Sequence, residues 1–186
     1  MSQLSEGQLK ATIYELAMPL VEAMGLCIWG LEVIYAKRLL IRLYIESQEA
    51  GETQADLEHC AEISRQLGLA LDVENIFAKA WTLEVSSPGL DRMFFKLEQL
   101  GPYIGDVLCV HLSTPLPPGS LGRKVWRGTL LQVTADSFSL KPCEISADDR
   151  IQPSKEPELL ICWENCRKVQ RVALFPKPLK PGKGAK

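Results

Sequence analysis

The hydrophobic period of this 186-residue chain changes near residue 90. Before that point, apolar side chains recur at helical spacing in two segments that flank alternating, β-branched runs. After it they fall into short runs broken by glycine and proline. A sequence with such a switch cannot fill one uniform layer, and it points to two small domains: helices on a sheet first, mostly strands second. The composition, 46% apolar and 24% charged, is that of ordinary globular proteins.

In residues 3–24 the stripe Leu9, Ile13, Leu16, Ala17, Leu20 and Met24 places one apolar face on a helix, and Gly25 stops it. Next comes CIWGLEVIYAKRLLIRLYIES, in which Ile41, Leu43 and Ile45 alternate with Arg42, Tyr44 and Glu46. With the basic tip Ala36-Lys37-Arg38 between its two halves, this reads as a hairpin. Thr53 and Asp56 are spaced as a capping box. Leu57, Cys60, Ile63, Ser64, Leu67 and Leu71 then define a second helix to about Leu71. Ala80 to Val85 returns as a strand. The order α-β-β-α-β predicts a three-stranded sheet with helices on one face, in a domain covering 1–90.

Five short strands are expected in the second half, at Val107–Leu112, Val125–Val133, Ser137–Leu140, Leu159–Trp163 and Val169–Leu174. Together they suggest a small β-barrel over 91–175, making the whole chain α+β. Segments 113–122 and 141–158 read as exposed loops because of their proline and charge content. The end, FPKPLKPGKGAK, has almost nothing to bury, so 176–186 is expected to be a disordered basic tail.

Several function classes are set aside by what the sequence contains. MSQLSEGQLK is polar, unlike a secretory signal. The longest run without a polar side chain, Ala23 to Leu31, is half the roughly 18 residues that a membrane span needs. A cytoplasmic protein without a membrane partner is expected. Six cysteines are spread along the chain, which argues against a disulfide framework. Cys162 and Cys166 have the spacing of half a zinc site, but neither His59 nor His111 is near them in sequence, so no metal is expected. With no glycine-rich phosphate loop and two histidines in separate predicted domains, there are no candidate catalytic residues and no implied cofactor.

Charge is divided unevenly. Residues 1–90 carry 13 acidic and 6 basic side chains, whereas 91–186 carry 10 acidic and 15 basic. The basic half is the natural side for phosphate backbones. Its candidate contacts are Arg123, Lys124 and Arg127 near the second barrel strand and Arg167, Lys168 and Arg171 near the last. Exposed Lys and Arg are also common on any strand face. A different class of function is an adaptor whose barrel binds a peptide or protein independently of RNA.

Where the two patterns meet, the chain reads LEVSSPGLDR. Pro88 fixes φ near −65° and Gly89 accepts a positive φ, the pair that a type II turn wants at its centre. Turn chemistry accounts for Pro88 and Gly89 but leaves Ser86, Ser87 and Arg92 unexplained; Asp91 and Arg92 could pair with each other or across the junction.

LEVSSPGLDR, preceded by LEHCAEISRQLGLALD and followed by YIGDVLCVHL, resembles the bacterial ribosome maturation factor RimP family. Leu57, Cys60, Ser64, Leu71 and Asp72 fall on its second-helix pattern, Tyr103 and Gly105 where its barrel opens, and Arg171 to Leu174 where it closes. Met93 stands where the family commonly has proline, the hairpin tip lacks a frequent glycine, and the loop before Leu159 is long. The resemblance implies an Sm-like (SH3-like) second domain. It also implies a non-enzymatic factor, expected to act as a monomer, that binds the immature small ribosomal subunit through ribosomal RNA, a basic ribosomal protein or both. Ser86, Ser87, Pro88, Gly89, Asp91 and Arg92 are then the family motif at the domain junction.

Overall fold

The structure is a computed structural model that describes residues 5–48, 55–77, 80–116 and 122–175. The chain divides into two compact units, one ending at Gly89 and the other beginning at Leu90.

The first unit opens with α1 (Glu6–Glu22), started by a capping box in which Ser5 Oγ accepts from the Gln8 N–H and the Gln8 side chain accepts from the Ser5 N–H. Leu9, Ile13, Ala17 and Val21 form its buried stripe. Gly25, at φ +71°, turns the chain into β1 (Leu26–Tyr35). The bend at residues 36–38 leads into β2 (Leu39–Ser47), antiparallel to β1. α2 (Leu57–Glu74) buries Ile63, Leu67 and Leu71, and β3 (Trp81–Ser86) then lies parallel to β2, from Leu39 opposite Trp81 to Tyr44 opposite Ser86. Parallel neighbours need a long crossover, which α2 supplies. Ile41, Leu43 and Ile45 of the central strand are fully buried against the helix stripes, each contributing about 1.5–3 kcal/mol by leaving water.

Two helix-end expectations change in detail. The N-cap of α2 is Asp56 and its capping-box partner is His59, because Asp56 Oδ1 accepts the His59 N–H at 2.8 Å. Thr53 lies outside the described residues. The helix also runs past Leu71, to a cap at Asn75 in the left-handed region.

The second unit contains β4 (Met93–Phe94), a 3₁₀ segment (Leu97–Tyr103), β5 (Val107–Leu112), β6 (Val125–Val133), β7 (Ser137–Ile145), β8 (Ile151–Pro153), β9 (Leu159–Cys162), a 3₁₀ turn (Trp163–Asn165) and β10 (Cys166–Arg171). Paired strands run β10-β5-β6-β7-β9, all antiparallel, so the last strand lies beside the first as in an Sm-like barrel. The 3₁₀ turn carries β9 directly into β10. Leu108, Val110, Leu112, Trp126, Leu130, Phe138, Leu140, Ile161 and Val169 fill the interior.

The expected loop at 141–158 is partly strand. β7 continues through Pro142 to Ile145 and pairs with β8. Proline is tolerated there because it serves the ladder through its carbonyl, which accepts from the Ser154 N–H. β10 lies earlier than expected, ending at Arg171, and Trp163 belongs to the 3₁₀ turn rather than to β9. Residues 117–121 of the first loop and the tail 176–186 lie outside the described residues.

Candidate functional site

The corner residues are held by contacts within each unit. Ser86 ends β3, and burial pushes the Cys60 thiol of α2 up, an effect that the nearby Ser87 backbone opposes. Gly89 has φ +70°, the conformation that glycine tolerates best. Beyond it, Asp91 Oδ1 accepts the Ala173 N–H at 2.6 Å, and the Asp91 carbonyl accepts from Gln170 Nε2. The Arg92 carbonyl accepts the Arg171 N–H, and the Arg92 guanidinium donates to the Tyr103 hydroxyl. Arg92 and Arg171 both approach the Tyr103 ring, at 5.3 and 5.7 Å from its centroid, and Phe94 meets that ring edge-on. The acidic and basic ends of SSPGLDR therefore fasten the start of the second unit to its closing strand.

The six candidate cations separate into two groups. Arg171 is half-buried and donates to Asp106 at 2.7 Å. Arg123 stacks over the Trp126 ring at 4.6 Å and pairs with Glu156 at 3.2 Å, and Lys124 Nζ donates to the Ser113 carbonyl. These three are tied to the fold. Arg127, Arg167 and Lys168 are exposed and make no side-chain hydrogen bond or ion pair among the described residues.

Strand register brings Arg127 and Lys168 to one surface. On β5 the even positions Leu108, Val110 and Leu112 face the core, leaving Cys109 and His111 outward. Lys168 stands opposite His111, and Arg127 stands opposite Cys109. Two strand spacings, about 10 Å, separate β10 from β6. Lys141 extends the same outward row on β7, opposite Thr129, and its Nζ reaches the Glu156 carbonyl at 3.5 Å. Lys141 and His111 were absent from the sequence-derived set. Lys141 falls in the segment expected to be a loop, because Pro142 follows it and the apolar phase shifts from Leu140 to Cys143 and Ile145; the sequence offers His111 only as a metal ligand or catalytic group.

The remaining reactive side chains have local roles. His59 Nδ1 faces the Asp56 carboxylate at 2.8 Å at the start of α2. The backbone N–H of His59, with other local donors, holds the Asp56 carboxyl below its usual range. Cys109 Sγ lies 3.8 Å from His111 Nε2 on the open strand face. Burial, reinforced by the neighbouring Cys162, pushes the Cys166 thiol up to about 12, and its S–H points to the Cys162 carbonyl at 3.6 Å. Among the described residues, no cluster of three or more His, Cys, Asp or Glu side chains could hold a metal ion. No described helix is long and apolar enough to cross a membrane.

Comparison with known proteins places this geometry in a family. The family model described as the RimP N-terminal domain matches residues 16–91, a span that takes in the SSPGLD corner. A ribosome maturation factor RimP from Desulfovibrio desulfuricans is 38% identical, with 97% of this chain and 86% of the relative covered. One from Nitratidesulfovibrio vulgaris strain DP4 is 40% identical, over 91% of this chain and 94% of the relative. One from Lawsonia intracellularis is 38% identical, over 91% and 89%. With identity of this order running across both units, the chain belongs to the RimP family of ribosome maturation factors.

Proposed function

We propose that this protein assists maturation of the small ribosomal subunit by binding the immature particle in the cytoplasm, without catalysing a reaction. The family supplies the process, since its relatives are named ribosome maturation factors. The observation that carries the binding reading is the outward face of β10, β5 and β6, where Lys168 and Arg127 stand exposed around His111. Cations spread over neighbouring strands suit a phosphate backbone, which supplies regularly spaced negative charges and rewards each neutralised phosphate by counterion release. The strand-face setting of half-buried Cys109 and exposed His111 fits contact rather than chemistry, because a nucleophile and base need a pocket that holds the reacting atoms.

The test is binding of the full chain to isolated small subunits over a range of salt concentrations, compared with R127A/K168A. The double variant is expected to bind more weakly and to lose about one unit of log–log salt slope per lost phosphate contact. Unchanged affinity and slope would remove this face from the interface. R123A/K124A is expected to do less to the slope and more to stability, because those side chains are engaged by Glu156, Trp126 and Ser113.

A further inference from the structure

The loop between β8 and β9 brings a carboxylate to one of the candidate cations. Arg123 Nη1 lies 3.2 and 3.4 Å from the two carboxylate oxygens of Glu156, while the guanidinium stacks on the Trp126 ring at 4.6 Å. Backbone bonds put the loop there. The Ser154 N–H donates to the Pro142 carbonyl at 3.3 Å, the Glu156 N–H donates to Ser154 Oγ at 3.2 Å, and Lys141 Nζ reaches the Glu156 carbonyl at 3.5 Å. Residues 154–156 are thus fastened along β7 without help from the Glu156 carboxylate. Through these contacts Glu156 meets Lys141, on the outward row of β7, and Arg123, which precedes Arg127 by four residues, at most about 13 Å of extended chain.

We propose that Glu156 sets the strength of the phosphate-binding face by keeping Arg123 out of it. The carboxylate occupies the place beside the guanidinium that a phosphate oxygen would take, and it repels a polynucleotide backbone approaching from that side. The inference rests on the reading of the β10, β5 and β6 face as a phosphate-binding surface. Stability does not explain the pair: its side chains are 51% and 38% exposed, a setting in which solvent screens an ion pair and leaves it little net worth. Its effect is on charge. With Glu156 in place, the two side chains together contribute no net charge at this edge. With a neutral residue there, a guanidinium already ordered by the Trp126 ring is presented to phosphate with little further loss of side-chain freedom. Glu156 is therefore a specificity-determining residue that acts by exclusion, and Arg123 is the cation it excludes.

The test uses the full chain and isolated small subunits over a range of potassium chloride concentrations. E156Q keeps side-chain size and removes the charge. It is expected to bind about threefold or more tightly and to steepen the log–log salt slope by about one unit, as one added phosphate contact does. E158Q, which removes an exposed charge from the same loop, is the matched control and is expected to change little. In an R123A background, E156Q is expected to give no such gain. The urea midpoint of E156Q should stay at the wild-type value. E156Q that binds no more tightly, a gain matched by E158Q, or a gain that persists in full without Arg123 would overturn the proposal, the last two by showing general repulsion instead of a specific pair. A lowered midpoint in E156Q would also overturn it, by assigning Glu156 to the fold. R127A/K168A, measured alongside, separates the two readings: weaker binding there with no gain in E156Q refutes this inference alone, whereas no effect there removes the strand face and this inference with it.

Discussion

Gly128→Ala tests the closeness of β6 and β7, on which the position of Arg127 depends. A Cβ at Gly128 would lie 2.7 Å from the Lys141 carbonyl oxygen, 3.0 Å from its carbon and 3.2 Å from Leu140 Cβ. The first two are backbone atoms, so no side-chain rotation relieves the contact. β7 cannot simply retreat, because it is also paired with β8 at Cys143 and with β9 at Leu140. Overpacking of this kind costs about 1–3 kcal/mol. Replacing glycine by alanine stiffens the unfolded chain and returns about 0.4–1 kcal/mol. A clash with backbone atoms at 2.7 Å places the cost in the upper part of that range, about 2–3 kcal/mol, so the net loss is about 1–2.5 kcal/mol, which lowers a urea midpoint by about 1 M for a domain of this size. Tryptophan fluorescence is the natural probe, since Trp126 is buried two residues away on the same strand. A midpoint that stays put or rises, with an unchanged slope, would show that the strands are not packed this closely.

Gly89→Ala should cost less, about 1 kcal/mol, because nothing lies within 4 Å of the added Cβ and only the φ of +70° is strained; urea unfolding measures it, and no loss would argue against that backbone conformation. Residues 1–89 and 90–186, expressed apart, should each unfold cooperatively by circular dichroism, and failure of both would count against two independent domains. Tyr44 is half-buried and its hydroxyl donates to Glu32 at 2.9 Å. Burial first, then that hydrogen bond, pushes its pKa up to about 12. The folded state therefore keeps a proton that the unfolded chain gives up near pH 10, so the contribution is complete below pH 10 and disappears as pH rises to about 12. Tyr44→Phe should flatten the fall of stability in that window, and an unchanged alkaline slope would refute the assignment.

The sequence patterns that reported the fold were those governed by burial. Ile41, Leu43 and Ile45 alternate because one face of β2 meets the helices, and Leu9, Ile13 and Ala17 recur because one face of α1 meets the sheet. Gly89 was legible for a different reason, since few other residues accept a positive φ after proline. Boundaries set by hydrogen bonding were harder to see. Pro142 hid the second half of β7, because a proline usually marks a break and only the structure shows that its carbonyl does the pairing. The candidate site was legible in charge but not in geometry. Arg123, Lys124 and Arg127 are neighbours in sequence, yet the first two are engaged by Glu156 and by Ser113, across loops whose path no local pattern encodes. Register alone brings Lys168 beside His111, with Arg127 one strand further on. The Asp91–Ala173 and Arg92–Tyr103 contacts are likewise long-range, and composition is silent about them.

The role proposed above, binding to an immature small subunit, implies weaker binding to the complete particle. Its most direct test is gradient sedimentation of the purified protein with free small subunits, from assembling and mature pools, and with complete ribosomes at equal particle concentration. The expected result is strong co-sedimentation with free small subunits, strongest with immature ones, and little with complete ribosomes. R127A, K141A and K168A combined should weaken that association and reduce its salt dependence. Equal association with free subunits and complete ribosomes would contradict the maturation account.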